Sequence, residues 1–582
     1  MTVVRRRRLP QLALPDKCRR PSPWVAVVVA MIGLFVAAGA AYGRGVDASG
    51  PVRIGSVTVL FDGVPAVTQA ERQLEEDVRR TFAIFPGRSY SPAEIDLAMA
   101  RLRSSGVVGD ASGDFRYGTD GRIELVVSVQ PLEVTPAPPR WSDRLQLFDD
   151  GRSLIKLRLG LKGATAVSYN QWFDNGATLT EFNPRGQFSG DRGPNAVLDL
   201  APSIGLVGAA PLSSAVDSAY IYASTLYLGT LSTGQDNNRN DRRTTGQWEE
   251  AFVGIVDGGV APSGLIWRAN LSYGKQPYCI GGGMLLCQIA SSGGDRGADF
   301  AWPRWSGDNF LKAQLRVNQT LFEAFRFEPN DFPTTETRLA GVNVDHDHGN
   351  GLTLGLTWLT AERGELGYFL PDGSSQVRDG LRVWHARGAW SPTAGGAGPI
   401  GKVEYARQTH ADFDMRATAY SAEAGWQFAD AAWRPSVTYR FSSTSGDDPE
   451  TSRYERWDLL YSGGDIDSWV QGQLMKNIQY NSNVKVHRLL ARATPAPTWR
   501  LTGAVSSYRA DTLNNLGGVI PTLAGHDLGR ELLLVAEHFA SRQVYWRFTF
   551  ASLWPGSGVT DALPEPVSKP WLVGIVQFNV NY

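Results

Sequence analysis

After residue 43 the sequence lacks any apolar run long enough to cross a membrane as a helix. It also lacks common catalytic motifs, such as Gly-x-Ser-x-Gly, His-Glu-x-x-His or a nucleophile grouped with a base. Only three of its 582 residues are cysteine, which excludes a disulfide-rich scaffold. We therefore expect that the protein is not an enzyme and that it binds no metal or cofactor. The alternative is an enzyme whose catalytic residues are spread over several strands.

The first 43 residues predict a cleaved signal peptide. A basic lead that includes Arg5 to Arg8 precedes the apolar residues 24–41, and Ala38-Gly-Ala40 offers a cleavage site. A retained anchor is the alternative, because the apolar stretch has borderline length for a span. Export would leave a mildly acidic chain in an oxidising compartment. We therefore expect no nucleic-acid partner and a disulfide between Cys279 and Cys287, with two free buried thiols as the alternative.

Glycine is abundant, with 63 residues, and short alternating segments fill residues 154–582. In the last of them, residues 571–582, Val576, Phe578 and Val580 share one face and polar side chains alternate with them. A soluble β-sandwich is the alternative, because alternation alone is common to both folds. The export signal, the number of segments and their aromatic ends favour an all-β transmembrane barrel over residues 151–582. We expect about 16–18 antiparallel strands in the outer membrane, in contact with its lipid.

Residues 51–134 predict a separate small α/β domain. A strand at 52–61 is followed by two capped helices, the first at 68–85, and by two strands joined at Thr119-Asp-Gly121. This order, and the stretch PGRSYSPAEIDLAMARLRSSG, resemble a POTRA domain. The resemblance implies a periplasmic module that binds extended partners by strand addition; another small α/β domain is the alternative. The proline-rich residues 135–150 predict a stiff linker.

Basic side chains predominate on the predicted inward face of the strands, where we find fewer acidic ones (Glu404, Glu531 and Glu537). A confined lumen with one sign of charge concentrates the opposite ion, and arginine binds carboxylates through its planar fork. We therefore predict a lumen that binds anions. The alternative is that each arginine pairs with a carboxylate and only stiffens the wall. The predicted anion-binding residues are Lys156, Arg158, Lys162, Arg268, Lys312, Arg316, Arg440 and Arg547.

Two further polar motifs are interpreted as connections. Asp345-His-Asp-His348 precedes Gly349-Asn-Gly351, which favours a hairpin turn over a metal site. Gly281-Gly-Gly283 is not followed by a helix that could bind a phosphate, so we interpret it as a loop.

The second half of the chain resembles the alginate-export family of outer-membrane barrels. The resemblance rests on residues 439–449 (YRFSSTSGDDP), 456–461 (RWDLLY), 526–532 (HDLGREL) and 553–556 (LWPG). It implies a narrow, positively lined barrel that passes an anionic exopolysaccharide. We expect separately that residues 51–134 contact periplasmic export proteins. The POTRA-like domain is instead usual for protein translocators of the two-partner-secretion or barrel-assembly type, which is the alternative function. Their Val-Arg-Gly-Phe/Tyr tetrapeptide does not occur in this sequence.

Overall fold

A computed structural model describes most of the chain after residue 51. The predicted signal peptide, most of the predicted linker and Tyr582 lie outside the described residues. The described ranges are 52–61, 63–82, 84, 88–90, 95, 98–99, 102, 107–108, 110–117, 123–130, 145–150, 153–171, 193–213, 216–234, 242–290, 298, 300–301, 305–331, 334–348, 351–370, 372–391, 397–464, 469, 472–496, 498–540, 544–563 and 567–581.

The N-terminal part forms a four-stranded sheet with a helix. The strand order is β2-β1-β4-β3, with β1 parallel to β4 and antiparallel pairing at both edges. The helix begins with the predicted capping box: Thr68 Oγ1 accepts the N–H of Glu71, and the Glu71 carboxylate accepts the N–H of Thr68. That backbone N–H lowers the pKa of Glu71. The elements are β1 (Val52–Phe61), α1 (Gln69–Phe82), β2 (Arg88–Tyr90), β3 (Asp110–Tyr117) and β4 (Ile123–Gln130).

The core of this domain lies between the sheet and its helical residues. Val78 and Phe82 of α1 pack with Ile95 and Met99, which are helical as the sequence predicts. The same cluster includes Phe539 and Tyr545, which belong to the large β-sheet of the chain. The domain therefore has its own apolar core and contacts the rest of the protein through it; its assignment as a POTRA domain stays a prediction.

The remaining strands close into a barrel of eighteen long strands, joined by the short β5 (Gln146–Asp149). The predicted barrel and its strand number are thereby confirmed, but residues 146–149 are strand rather than linker, since they pair with β6. A small hairpin of β15 (Gly367–Phe369) and β16 (Ser375–Val377) stands apart. The barrel strands are β6 (Leu154–Tyr169), β7 (Pro194–Ser213), β8 (Val216–Gly234), β9 (Arg243–Val260), β10 (Ile266–Pro277), β11 (Ser306–Val317), β12 (Thr320–Glu328), β13 (Arg338–Asp347), β14 (Leu352–Arg363), β17 (Leu381–Trp390), β18 (Gly398–His410), β19 (Ala417–Gln427), β20 (Ser436–Thr444), β21 (Val484–Ala496), β22 (Trp499–Ala510), β23 (Asp527–Phe539), β24 (Val544–Pro555) and β25 (Trp571–Asn581).

The barrel closes where β25 pairs antiparallel with β6, from Leu572 opposite Tyr169 to Asn581 opposite Gly160. At this seam the ring of Phe578 lies over Gly163, so that a Cβ at this position would lie 2.2 Å from the ring. Glycine is therefore needed at position 163 to let the aromatic side chain cover the seam. The seam leaves neither β25 nor β6 with an open edge.

The outer face of the barrel is apolar. Leu356 of β14 is 62 % exposed and Trp384 of β17 is 64 % exposed, whereas their neighbours Thr357 and His385 are buried at 2 % on the inner face. Exposed leucine, valine and aromatic side chains occur in the same way on most other barrel strands. Such a surface is compatible with lipid and unfavourable in water.

Among the described residues, no helix is long and apolar enough to cross a membrane.

Placing a charge on this outer face tests the lipid contact. Leu356→Arg is expected to destabilise the folded barrel in lipid by about 2–4 kcal/mol, because the guanidinium would enter the bilayer. The measurement is urea unfolding in lipid vesicles. Val67→Arg is the matched control, since Val67 is 70 % exposed on the N-terminal domain and should tolerate the charge. Equal costs for the two variants would contradict the assignment of the outer face.

Candidate functional site in the barrel lumen

The two ends of the barrel differ in their connections. Residues 261–265 and 318–319 are short turns at one end, which we call the short-turn end. Residues 278–305, 445–483 and 511–526 are long connections at the other end, which we call the long-loop end. Functional side chains are positioned by the wall strands and by those long connections, since both reach the inside of the barrel.

A row of charged side chains crosses four adjacent strands, and we call it the charged belt (Lys402, Glu423, Arg440 and Arg488). The register places each residue opposite the next, from β18 to β21. Lys402 Nζ lies 3.1 Å from Glu423 Oε1. Arg440 and Arg488, in contrast, face each other directly and are both nearly buried. Like charges directly opposite each other destabilise a sheet, but Glu423, which lies opposite Arg440 on its other side, offsets part of this repulsion. A role of this pair in binding anions stays a prediction.

A second arginine pair lies elsewhere on the wall. Arg268 of β10 is directly opposite Arg316 of β11, and both face inward. Both residues were predicted from the sequence as anion-binding, whereas Arg488 of the first pair was not. The inward position of Arg488 is visible in the alternation of β21, but its position opposite Arg440 depends on the strand register, which the sequence does not show.

The other predicted basic residues also lie on the inner face, but some are held by carboxylates. Arg158 Nη1 lies 2.6 Å from Glu250 Oε2 and donates to Ser224 at 2.9 Å. A register shift between Leu226 and Tyr227 accompanies the placement of Glu250 on the inner face, where the sequence analysis missed it. For Arg158, the alternative interpretation of a stiffened wall therefore has direct support.

Arg547 lies opposite Glu537 on β23. The same carboxylate accepts hydrogen bonds from Arg500 at 2.5 Å and from Tyr545 Oη at 2.8 Å. Lys156, Lys162 and Lys312 lie on the inward face as well. A role of these residues in binding anions stays a prediction.

The motif at 345–348 is part of a strand rather than a turn. Asp345 lies in β13, which ends at Asp347, and forms an ion pair with Arg387 of β17; residues 349–350 of the predicted turn lie outside the described residues. In the part of the chain that the structure describes, no group of three or more His, Cys, Asp or Glu side chains could hold a metal ion. Together with Glu250 and Glu423, Asp345 makes the inner face more acidic than the sequence predicted.

The inner face is not polar throughout. Towards the long-loop end, inward side chains such as Phe310, Leu339 and Val383 pack with Leu285 and Trp457 of the long connections. A second apolar cluster covers the inner side of β21–β25, where it includes Trp571, Val573 and Ile575 of the last strand. In this half of the barrel the inner face is therefore apolar rather than charged, because the long connections fold inward and bury these side chains.

One of these connections is the disulfide loop (residues 278–290), in which Cys279 and Cys287 are bonded. Gly283 has a φ of 89°, and a Cβ there would lie 2.1 Å from the carbonyl oxygen of Gly463. The glycine run is a loop, and this close approach requires glycine at position 283. The disulfide and the glycine together hold the loop against a second connection.

That second connection is the crossing segment (residues 457–463). It runs parallel to the disulfide loop at a bridge between Leu286 and Tyr461. The N–H of Tyr461 donates to Leu285 O at 3.1 Å, and its carbonyl accepts the N–H of Cys287 at 2.9 Å. Gly463 N donates to Gly283 O at 3.0 Å. The two segments thus form a short two-stranded ribbon inside the barrel.

A buried ion pair attaches the crossing segment to its surroundings. Arg378 donates to both Asp458 oxygens at 2.8 Å, and the two side chains are only 3 % and 2 % exposed. Asp458 also accepts Tyr368 Oη at 2.6 Å. On the wall, the Gln408 side chain accepts the N–H of Asp458 at 2.8 Å and donates to its carbonyl at 2.6 Å.

The electrostatics of this pair keep it charged. Burial alone would raise the pKa of Asp458, but the facing Arg378 guanidinium, together with the hydrogen bonds from Tyr368 and from the N–H of Leu460, lowers the pKa below its usual range. Burial raises the pKa of the neighbouring Tyr461 to about 12. Arg378 also lies over the Tyr461 ring, 5.4 Å from its centroid. Neither Arg378 nor Asp458 could be predicted from strand alternation, because Arg378 lies outside the barrel strands and Asp458 lies in a long connection.

A closed sheet with an apolar outer face and charged rows on part of its inner face defines an outer-membrane-type β-barrel. Residues 390–571 match the model of the family described as "Alginate export", which confirms the predicted resemblance of the second half. The closed barrel and this match support an outer-membrane channel. Among curated proteins, none matches the chain.

Several solved barrels are similar in structure. OccK5 (OpdH) of Pseudomonas aeruginosa is 10 % identical with a TM-score of 0.43, over 73 % of this chain and 98 % of that one. OccAB1 of Acinetobacter baumannii is 9 % identical with a TM-score of 0.44, over 74 % and 96 % of the two chains. OmpF of Salmonella typhi, solved with daunomycin, is 11 % identical with a TM-score of 0.36, over 75 % and 100 %.

Proposed function

We propose that the protein is an outer-membrane export channel that passes an anionic polysaccharide through its lumen, and not an enzyme. The observation that carries this proposal is the opposed pair of Arg440 and Arg488 in the charged belt. Two guanidinium groups held side by side on a lumen wall can each bind a carboxylate of a polymer through their planar forks, in addition to the interaction of Arg440 with the facing Glu423. The "Alginate export" match, which covers both residues, supports the same cargo class.

The N-terminal domain is proposed to lie in the periplasm and to contact export-machinery proteins. Phe539 and Tyr545 flank the short turn between β23 and β24 and join the apolar core of the domain. Outer-membrane barrels have their short turns on the periplasmic side. The contact therefore supports a periplasmic domain and long loops that face the outside.

Ion selectivity in planar bilayers tests the proposed cargo class. The wild type is expected to prefer anions, and the double variant Arg440→Glu/Arg488→Glu is expected to prefer cations, since the wall charge there changes by about four units. Arg72→Glu is the matched control, because Arg72 is exposed on α1, away from the lumen. Unchanged anion selectivity in the double variant would contradict the proposal.

A protein translocator is the second candidate, and the N-terminal domain favours it. Its strand β3 lies at an edge of the four-stranded sheet and pairs with β4 on one side. An edge strand can bind an extended polypeptide by strand addition, which is the first step that such a translocator requires.

A further inference from the structure

We propose that the crossing segment is a gate inside the barrel, held closed by the ion pair between Arg378 and Asp458. The inference rests on the proposed function in one respect, namely that the lumen is a passage. The gate follows from the position of the segment, from its attachment to other connections and to side chains, and from the burial of the charged pair.

The crossing segment lies in the interior of the barrel. Asp458 is bound to Gln408, an inward residue of β18 that is fully buried. From the neighbouring residue, the Trp457 carbonyl accepts the Ser482 hydroxyl at 2.6 Å. The segment therefore lies between a wall strand and the chain that leads into β21, in the interior that a passing polymer must use.

The contacts that hold the crossing segment can break without unfolding the barrel wall. The wall strands pair with one another along their whole length and do not depend on the crossing segment. The segment is attached to other connections and to side chains: by the bridge to the disulfide loop, by the contacts around Asp458, by hydrogen bonds of Tyr461 and Ser462, and by apolar packing of Trp457 and Leu460. Leu460, next to this pair, has a φ of 50°, a backbone conformation that leucine rarely adopts. The N–H of Leu460 donates to Asp458 Oδ1 at 2.8 Å, so the carboxylate also maintains this turn.

Because the Arg378–Asp458 pair is buried, losing one of its charges strongly affects whether the crossing segment stays in the closed position. Removing one partner of a buried ion pair leaves the other charge uncompensated, whereas replacing both by apolar residues is often neutral. Loss of Asp458 alone would leave Arg378 buried next to Tyr461 and Thr337 without its carboxylate. Release of the segment into water relieves that charge, which shifts the equilibrium from closed to open by about a hundredfold or more.

The test compares three variants of the full-length protein in planar bilayers. Asp458→Asn is expected to raise the single-channel conductance or the open fraction at least tenfold, because the pair is lost. Arg378→Met/Asp458→Leu is expected to stay as closed as the wild type, since no buried charge remains. Glu336→Gln is the matched control: it removes an exposed ion pair with Arg363, 3.1 Å long, and should change nothing.

Trypsin cleavage gives a second readout. Arg456, next to the segment, is 8 % exposed in the closed form and should become cleavable in Asp458→Asn alone. Strand content by circular dichroism identifies any variant that fails to fold; in that case Asp458→Glu, which keeps the charge but misplaces it, takes the place of Asp458→Asn. Equal conductance and equal cleavage of wild type and the single variant would overturn the gate. Opening without anion selectivity would leave the gate standing and contradict the proposed cargo.

Discussion

Removing residues 571–582 is expected to abolish assembly of the barrel in the membrane. The deletion takes away β25, which pairs over ten positions with β24 and over ten with β6. Both neighbours would then present unpaired backbone N–H and C=O groups to lipid, at several kcal/mol for each group. Closing the remaining strands would require β24 to pair with β6 in parallel, because both strands run antiparallel to β25.

The measurement is the fraction of protein that becomes protease-resistant and heat-modifiable in lipid vesicles, which should fall from nearly complete to near zero. A deletion of residues 51–134 serves as the control, because it removes far more chain but no barrel strand. Normal assembly of the shorter barrel would show that the seam between β25 and β6 is dispensable.

Deleting residues 51–134 is itself the second experiment with a large expected effect. If the barrel exports a polysaccharide that periplasmic proteins deliver through this domain, cells with the deletion should lose most of the exported polymer. The purified barrel should still conduct with unchanged anion selectivity, because the domain supplies none of the charged belt.

A protein translocator gives the opposite pattern in the same cells. Secretion of a partner protein would then stop, since the edge strand β3 that could receive it is gone. The level of any exported polysaccharide would stay at the wild-type value. Measuring both products in one strain separates the two functions, with Phe539→Ser as a milder variant that only weakens the contact of the domain with the barrel.

The barrel could be predicted because its main requirement, the alternation of apolar and polar side chains, is met within each single strand. A strand between lipid and lumen must alternate every second residue, so single segments such as 571–582 carry the information. The inner apolar clusters were not predictable in the same way. Trp571, Val573 and Ile575 look like exceptions in the sequence, and only the inward folding of distant connections explains them.

The candidate site likewise contains features that the sequence predicts and features that it does not. Arg268, Arg316 and Arg440 were found because a basic residue alternating with apolar ones indicates an inward charge. The pairings of Arg268 with Arg316 and of Arg440 with Arg488 could not be predicted, because they depend on the register between neighbouring strands. The pair of Arg378 and Asp458 is separated by 80 positions and joins two connections, where no periodicity exists to reveal it.

The ribbon between the disulfide loop and the crossing segment also has a consequence for the order of assembly. The disulfide joins cysteines only eight positions apart and can form as soon as that stretch leaves the ribosome and is exported. Its bridge partner Tyr461 follows 175 positions after Leu286, with eight barrel strands in between. Contacts of such high sequence separation form late. The seam between β25 and β6 joins residues 403 to 421 positions apart. The ribbon is therefore expected to form after the disulfide and before the barrel closes around it, so that the closing wall encloses an interior that is already filled.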